Sequence, residues 1–385
     1  MPQSDFDSIR PVAPEELPAA FDELMGDATF RGILQSFFKD IPMERLRERL
    51  YACRDNLEVQ KTFLYPLVRQ LVAKCCTDFS LDAESLPAAA RTGSHTFVSN
   101  HRDIVLDSAF LSVLLIENGF GNTTEIAIGD NLLIYPWIKT LVRVNKSFIV
   151  RRSASMREML ASSRLMSRYM HYAIAEKGEN VWIAQREGRA KDSDDRTQES
   201  VLKMMAMGGA GTPLESLRAL NIVPLSISYE YDPCDYLKAK EFQQKRDDPG
   251  YRKSQADDLA NMRTGIFGFK GGVHYHTGTP VNEWIDQLAG CPKADFFKEV
   301  ARRMDREIHA GYRVYKSNFI ALDLLRGTAD FAPHYTEADK ADFEKYLSGR
   351  IALVDLPAPD VPFLRERLLT MYANPLVNHL AATRG

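Results

Sequence analysis

The stretch TEIAIGDNLLIYPWIKTLVRVNKSFIV, residues 124–150, shows the pattern that decides the fold. It begins with a short apolar run at 124–129, continues with a longer segment of helical character at 131–142, and ends with a second apolar run at 147–150. Two such runs separated by a helix are typical of parallel strands, because parallel strands need a long crossover connection. The stretch therefore predicts one strand–helix–strand unit of an α/β protein.

The same alternation continues on both sides of this unit. A strand at 97–100 precedes a helix from about 107 to 118, and a second helix at about 155–176 precedes a strand at 180–185. A long apolar run at 221–231 adds another strand. Repeated crossovers of this kind predict an α/β fold with a mainly parallel central sheet that helices cover on both faces.

Three regions follow from the change of periodicity along the chain. We expect an N-terminal helical region at 1–80, an α/β domain at 81–290 and a helical C-terminal extension packed on it at 291–385. Within them, the polar, proline-bearing residues 1–18 are predicted to be a loose arm. The charged residues 235–265 contain little strand character and are predicted to be an excursion from the α/β domain.

Two apolar stripes at helical spacing bear on the core. The first lies in the N-terminal region and consists of Phe30, Ile33, Leu34, Phe37 and Phe38. It either packs on a core or docks on a membrane, and packing is the commoner outcome for such a stripe. The second is rich in methionine and consists of Met156, Met159, Leu160, Met166, Met170, Ala173 and Ile174. We predict that this second stripe packs in the core.

The composition excludes several classes of function. The chain has 385 residues with 49 Lys and Arg against 52 Asp and Glu, so we expect no nucleic acid among its partners. Five cysteines form no CxxC pair, and His274 and His276 share a strand face without an evident third ligand, so we expect neither a metal nor a cofactor. No uncharged apolar run approaches the length that a membrane-spanning helix needs.

The segment SNHRDIVLD, residues 99–107, is the most informative one chemically. It places His101 at the end of a predicted strand, with an acid at the start of the next helix. A neutral histidine takes a proton from an alcohol, and a neighbouring carboxylate orients its ring. Asp103 and Asp107 compete for this role, and we favour Asp107 because a carboxylate in the first turn of a helix is stabilised by the helix dipole. The alternative is a histidine that only caps the turn.

Two basic loops also follow predicted strands. They are SFIVRR at 147–152 and QREGRAKD at 185–192. Their basic residues are Arg151 and Arg152 in the first loop and Arg186, Arg189 and Lys191 in the second. We expect the two strands to be neighbours in the sheet, so that both loops meet at the edge where open α/β sheets bind ligands. Arginine-rich loops in that position predict a site for a phosphate or carboxylate group.

In this order, the segments resemble the four sequence blocks of the glycerolipid acyltransferases, the family of glycerol-3-phosphate and lysophosphatidate acyltransferases. The similar residues are Asn100, His101 and Asp107; Ser147 to Arg152; Glu187, Gly188 and Arg189; and Ile222, Val223, Pro224 and Leu225. The resemblance covers about residues 95–285. Two departures stand out: five residues rather than four separate His101 from Asp107, and Arg189 follows Gly188 without an intervening residue.

The resemblance implies transfer of a fatty acyl group from acyl-CoA or acyl carrier protein to a hydroxyl of glycerol 3-phosphate or lysophosphatidate in phospholipid biosynthesis. His101 is then the general base and Asp107 its orienting partner. The implied acceptor-binding residues are Arg151, Arg152, Glu187, Gly188, Arg189 and Lys191. Two alternatives remain: O-acylation of an acyl-amino-acid lipid by the same chemistry, and a catalytically silent lipid-binding protein that keeps the fold.

The resemblance also bears on the membrane as a partner. The family's N-terminal membrane-spanning segment has no counterpart in this sequence, while the product of the implied reaction is a lipid. We therefore expect a cytoplasmic protein that associates peripherally with the inner face of the membrane. Leu132, Leu133, Tyr135 and Trp137 are the apolar residues that we expect at this surface, unless they pack against the sheet instead.

Overall fold

The computed structural model describes residues 3–133, 135–151 and 155–384, and a seven-stranded sheet forms their centre. The strands are β1 Cys76–Asp82, β2 Thr96–Ser99, β3 Thr124–Gly129, β4 Ser147–Val150, β5 Asn180–Ala184, β6 Ile222–Tyr229 and β7 Gly271–Thr277. They lie in the order β1-β7-β6-β2-β5-β3-β4. Strands β6, β2, β5, β3 and β4 run parallel, β7 is antiparallel to β6, and β1 is parallel to β7. The predicted mainly parallel sheet is confirmed.

The N-terminal region is helical and has an apolar core of its own. Its helices are α1 Leu17–Gly26, α2 Ala28–Phe37, α3 Met43–Tyr51, α4 Asn56–Val59 and α5 Tyr65–Cys75. Of the first apolar stripe, Phe30 and Leu34 are buried in this core and Ile33 is exposed. The stripe is therefore mainly a packing surface between helices.

The segment before α1 is packed against the protein, so the prediction of a loose arm is wrong. Phe6 and Ile9 are buried in the core that covers one face of the sheet. The backbone N–H of Ile149 in β4 donates to the carbonyl of Ile9 at 2.9 Å. The arm thus covers β4, the strand at the edge of the sheet, which would otherwise expose unpaired backbone groups.

Helices cover both faces of the sheet, as predicted. Those that follow β2, β3, β4 and β5 are α6 Leu106–Glu117, α7 Pro136–Val144, α8 Met156–Tyr172, α9 Glu199–Ala206 and α10 Pro213–Ala219. Helices α5 and α6 lie on one face, and α8, α9 and α10 lie on the other. The neighbouring β2 residues Phe97 and Val98 are both fully buried, each in a different core. This burial on both faces explains why the strand is a continuous apolar run.

The predicted excursion and the C-terminal extension are also helical. Helices α11 Asp235–Asp247 and α12 Gln255–Phe267 lie between β6 and β7. The C-terminal helices are α13 Phe296–Ala310, α14 Lys316–Arg326, α15 Glu337–Ala352 and α16 Val361–Thr383. Ala239 of α11 packs in the same apolar core as α14, α15 and α16. The excursion therefore connects the C-terminal extension to the α/β domain.

Two expectations about individual elements fail. Strand β1 was not predicted, although its alternation of Phe79 and Leu81 with polar residues is typical of a half-buried strand. The methionine stripe is buried only in its second half. Met156, Met159 and Leu160 are exposed, Met156 by 77%, because the first turns of α8 lie outside the core that its later turns enter.

Candidate active site

The end of β2 places a histidine at the carboxyl edge of the parallel strands. The side-chain amide of Asn100 both donates to the carbonyl and accepts from the N–H of Ile227 in β6, each at 2.8 Å. This amide takes the place of the next backbone pair in the ladder, and the chain then turns away. His101 follows, with its side chain 14% exposed, and its ring meets Trp182 edge to face at 5.7 Å. The imidazole is thus shielded on one side and still accessible.

His101 and Asp107 form a hydrogen-bonded pair. The Nδ1 atom of His101 lies 2.8 Å from Oδ2 of Asp107, which is fully buried in the first turn of α6. The same oxygen accepts from the backbone N–H of Arg102 at 2.6 Å and of Asp103 at 3.1 Å. These contacts fix the carboxylate, which in turn fixes the ring and leaves Nε2 for a substrate. The extra residue between the two is absorbed in the non-helical turn that precedes α6.

Asp103, the competing acid, has a different partner. Its Oδ1 accepts from the backbone N–H groups of Val105 and Leu106, at 2.9 and 2.8 Å, so it caps the start of α6. Burial raises the pKa of Asp103, and the nearby charge of Asp107 adds to that shift. The structure therefore pairs His101 with Asp107, as the sequence favoured.

Tyr229 is a neighbour of this pair that the sequence reasoning missed. Its hydroxyl donates to Oδ1 of Asp107 at 3.0 Å, which completes the hydrogen bonding of that carboxylate. The alternation of Leu225, Ile227 and Tyr229 along β6 puts all three on the face that α6 covers. That alternation was the signal in the sequence, since it directs the phenol towards the helix that carries Asp107.

The loop after β5 lies directly beside His101. Ser99 of β2 is in register with Ala184 of β5, and the N–H of Gln185 donates to the carbonyl of Ser99 at 2.7 Å. Arg186 is the next residue in the chain, directly after the strand that pairs with β2. The Arg186 side chain is half-buried. It is the first basic residue of this loop.

Of the other predicted residues in this loop, Glu187 and Gly188 are exposed and Arg189 is turned inwards. Gly188 has a φ of 66°, in the left-handed region that favours glycine. Arg189 is half-buried, and its Nη2 donates to Oδ1 of Asn261 in α12 at 3.1 Å. Its Nη1 is buried and has no hydrogen-bond partner within the described part of the chain. The Arg189 guanidinium therefore faces the interior of the protein, near Cys234, Asp232 and Asp103.

Lys191 is held by the excursion. Its ammonium forms an ion pair with Glu241 of α11, which also pairs with Lys245 at 3.0 Å. Burial lowers the pKa of Lys191, and the hydrogen bond to Glu241 acts in the opposite direction. A phosphate would have to compete with Glu241 for this lysine.

The first basic loop lies farther from His101 than the sequence suggested. Arg151 is exposed directly after β4, whereas Arg152 lies outside the described residues. The two basic loops do not follow neighbouring strands, because β3 lies between β5 and β4. The end of β4 is three strands from β2, about 14 Å at the usual strand spacing. The sequence shows which segments are strands, but their order in the sheet depends on long-range pairing.

His274 and His276, the two histidines considered as metal ligands, contact side chains of β1 instead. His274 contacts Ser80 at 3.0 Å, and His276 pairs with Asp82 at 3.0 Å on the polar face of the β1–β7 edge. Among residues 3–133, 135–151 and 155–384, no group of three or more His, Cys, Asp or Glu side chains is placed to hold a metal ion. No helix within those ranges is long and apolar enough to cross a bilayer.

Comparison with known proteins finds one matching family model. The family model described as Acyltransferase matches residues 82–228, which contain the whole corner from β2 to α6 and the loop after β5. Residues 82–228 therefore form an acyltransferase domain, with a histidine–aspartate pair at the carboxyl edge of its parallel strands. The match runs from the end of β1 to β6 and includes neither the N-terminal nor the C-terminal helices.

The chain was also compared with solved structures and with curated proteins. The crystal structure of the 1-acyl-sn-glycerophosphate (LPA) acyltransferase PlsC from Thermotoga maritima is similar to this chain, with a TM-score of 0.38 and 12% sequence identity. The match covers 75% of this chain and 93% of that chain. No curated protein matches the chain in sequence.

Proposed function

We propose that this acyltransferase moves a fatty acyl group from an acyl thioester to a hydroxyl of glycerol 3-phosphate or lysophosphatidate. The observation that carries the proposal is the hydrogen-bonded pair of His101 and Asp107 inside the acyltransferase domain. Such a pair is the arrangement that a general base on an alcohol requires. The donor in this proposal is acyl-CoA or acyl carrier protein.

The reaction follows from the orientation of the imidazole. Nδ1 of His101 is bound to Asp107, so Nε2 takes the proton as the acceptor oxygen attacks the thioester carbonyl. Asp107 stabilises the imidazolium that forms. The carbon–sulfur bond then breaks, the new ester is released, and the departing thiolate receives the proton from His101. No covalent acyl-enzyme is needed, and the protein contributes mainly by holding two substrates together.

We propose that the loop after β5 binds the acceptor's phosphate. Arg186 is supported by its place directly after the strand that pairs with β2, and Gly188 by a left-handed, exposed backbone that a ligand can approach. Arg189 contacts a phosphate in this proposal only by turning outwards from Asn261, and Lys191 only by exchanging Glu241 for it. Glu187 lies between Arg186 and Gly188. Its backbone N–H donates to Oε1 of Gln198 at 2.9 Å, which fixes the loop backbone.

Arg151 belongs to a second surface in this proposal, which faces anionic lipid. Arg151, Tyr135 and the first turns of α8 all follow β3 or β4 at the carboxyl edge that also carries His101. Tyr135 is 48% exposed, and Met156, Met159 and Leu160 are exposed on α8 beside Arg157. Exposed apolar residues among arginines suit the surface of an anionic bilayer. Of the residues expected there, Leu133 and Trp137 pack against apolar cores instead, and Leu132 is half-buried.

One assay tests the reaction and its alternatives. Purified full-length protein is incubated with radiolabelled acyl-CoA or acyl carrier protein and each of three acceptors: glycerol 3-phosphate, lysophosphatidate and a hydroxylated acyl-amino acid. We expect an ester product with one of the first two acceptors and none from the variant H101A. Product with the acyl-amino acid alone would assign O-acylation of an acyl-amino-acid lipid. Substrate binding without any product would assign a silent lipid-binding protein.

Flotation with vesicles tests the membrane surface separately. We expect the protein to float with vesicles that contain anionic phospholipid, and the triple variant M156S/M159S/L160S to float much less. The matched control is L353S/V361S/V377S, which changes three exposed apolar residues of the C-terminal extension. Equal flotation of the two triple variants would reject the α8 surface. A wild-type protein that stays in the soluble fraction would reject membrane association altogether.

A further inference from the structure

The loop that follows the third sequence block is fastened by helices outside the acyltransferase domain. We call residues 191–197 the clamped loop. Asn374 of α16 donates to the carbonyl of Asp192 at 2.9 Å, and His309 of α13 contacts the carbonyl of Asp195 at 2.8 Å. These contacts come from residues more than a hundred positions away in the sequence. The loop therefore owes its shape to the C-terminal extension.

Asn378 of α16 makes the most central of these contacts. Its Nδ2 donates to Oδ1 of Asp194 at 3.0 Å, and its Oδ1 accepts from Nη2 of Arg196 at 2.7 Å. The amide thus binds one residue on each side of Asp195 and is itself buried. Ser193, just before them, is buried with a φ of 61°, a strained conformation for a residue other than glycine. Such strain persists only where surrounding contacts enforce it.

The clamped loop delivers Asp195 to the residue next to His101. Asp195 is fully buried, and its carboxylate lies 3.3 Å from Nη1 of Arg102. Neither of its oxygens has a well-formed hydrogen bond to any described residue. Burial raises the pKa of Asp195, while the charges of Arg102 and Lys238 act in the opposite direction. A buried carboxylate is costly unless it is paired, and Arg102 supplies the opposite charge here.

Arg102 completes the connection to the active site. Its guanidinium is buried between Asp195 and the ring of Tyr312, at 5.6 Å from the ring centroid. Its backbone N–H makes the 2.6 Å hydrogen bond to Asp107. Arg102 therefore contacts Asp195 through its side chain and Asp107 through its backbone N–H. A shift of the clamped loop would be transmitted to the partner of His101.

We propose that Asp195 and Asn378 are positioning residues for the His101–Asp107 pair, and that the C-terminal extension acts on the reaction through them. The proposal rests on the function proposed above. According to this proposal, α16 fixes the clamped loop and thereby the position of Asp195. Asp195 holds the side chain of Arg102, whose backbone N–H binds Asp107. The extension is thus part of the catalytic machinery although it lies outside the acyltransferase domain.

The test compares two buried asparagines of the extension. Asn378→Ala removes both side-chain contacts to the clamped loop. Asn318→Ala is the matched control, because Asn318 is equally buried and bonds only Tyr315 and Tyr372 within the extension. Thermal unfolding of each variant sets an assay temperature at which both are folded. We expect N378A to lower kcat about 10- to 100-fold, up to the cost of misplacing a reacting group by about 1 Å. Both KM values should stay within about twofold, and N318A should keep the wild-type kcat.

A second pair of variants tests whether Asn378 acts through Asp195. We expect Asp195→Asn to lower kcat by about 10- to 100-fold, the range for a lost charged contact. The double variant D195N/N378A should be no slower than D195N alone, because residues that act through one path are not additive. Equal loss of kcat in N378A and N318A would overturn the proposal, and so would an additive double variant. A rise in the acceptor's KM alone would also overturn it.

A spectroscopic readout separates this proposal from the proposed function. The Nδ1 proton of His101, bound to Asp107, should give a downfield NMR signal in the wild type and in N318A. We expect that signal to weaken or vanish in N378A and D195N. If the signal responds in this way while no acceptor is acylated, the positioning holds and the proposed function fails. If the signal is the same in all four proteins, the positioning proposal fails whatever the activity.

Discussion

Two loops at the candidate site are fixed by different kinds of contact, one by contacts within itself and the other by distant helices. In the corner at 99–107, the acid partner of His101 is six residues away, and two of its four hydrogen bonds come from backbone N–H groups of the same turn. In the clamped loop at 191–197, the fixing contacts come from α11, α13 and α16. The first loop is built mainly from its own sequence, and the second is shaped by the rest of the chain.

This difference separates the residues of the proposed proton transfer from those of the proposed acceptor site. The proposed proton transfer depends on a short, local constellation that a single turn can assemble. The proposed acceptor site depends on side chains whose direction is set by remote helices, as Asn261 and Glu241 set those of Arg189 and Lys191. We therefore expect changes in the corner to act on kcat and changes of Arg186, Arg189 and Lys191 to act on acceptor binding.

The largest effect is expected from His101→Ala in the corner. Loss of the general base should lower kcat by about 100- to 10,000-fold, the usual contribution of a positioned base. The control is His334→Ala, since His334 is exposed and stacks on Phe319 in the C-terminal extension. The measurement is acyl transfer from labelled acyl thioester under saturating acceptor. Activity of H101A within tenfold of the wild type would contradict the assignment of the base.

The second prediction contrasts the two acids of the corner. Asp107→Asn should lower kcat about 100-fold, because the charged hydrogen bond to His101 is lost. Asp103→Asn should leave kcat within about threefold, since asparagine caps a helix as well as aspartate does. Steady-state kinetics of both variants, with circular dichroism to confirm folding, decides between them. The reverse order of losses would show that His101 depends on Asp103 instead.

The third prediction concerns acceptor binding by the loop after β5. Arg186→Ala and Arg189→Ala should each raise the acceptor's KM about 10- to 100-fold, the cost of one charged hydrogen bond, and change the donor's KM much less. Lys191→Ala should raise it less than either, because Glu241 already occupies this lysine. Initial rates over a matrix of both substrate concentrations measure each KM. An equal rise for donor and acceptor would remove these residues from the phosphate site.

The smallest effect is expected where the excursion competes with the substrate. Glu241→Gln should free Lys191 and lower the acceptor's KM about two- to fivefold, which corresponds to the strength of a partly exposed ion pair. The matched control is Glu199→Gln, which breaks the exposed pair with Lys203 on α9. A higher acceptor KM in E241Q would mean that Glu241 positions Lys191 for the substrate rather than withholding it.

Much of the fold could be predicted from the sequence, because alternating runs report burial directly. The fully buried strands at β2 and β5 and the crossover helices between them appear in the sequence as continuous apolar runs and helical stripes. Two failed predictions, the loose arm and the missed strand β1, concern segments that bury little apolar surface. Residues 3–16 and the polar edge strand β1 bury only a few apolar side chains each, so their composition resembles that of a loop.

The corner at 99–107 could be predicted from its local sequence. The spacing of His101, Asp103 and Asp107 limits the choice to one histidine and two acids, and the helix dipole favours the acid that the structure pairs with His101. Long-range packing places β3 between the two basic loops, turns Arg189 inwards against α12 and brings Asn378 to the clamped loop. Those contacts join residues that are far apart in the chain. No local periodicity encodes them, because they depend on the order of the strands and on where the helices of the extension pack.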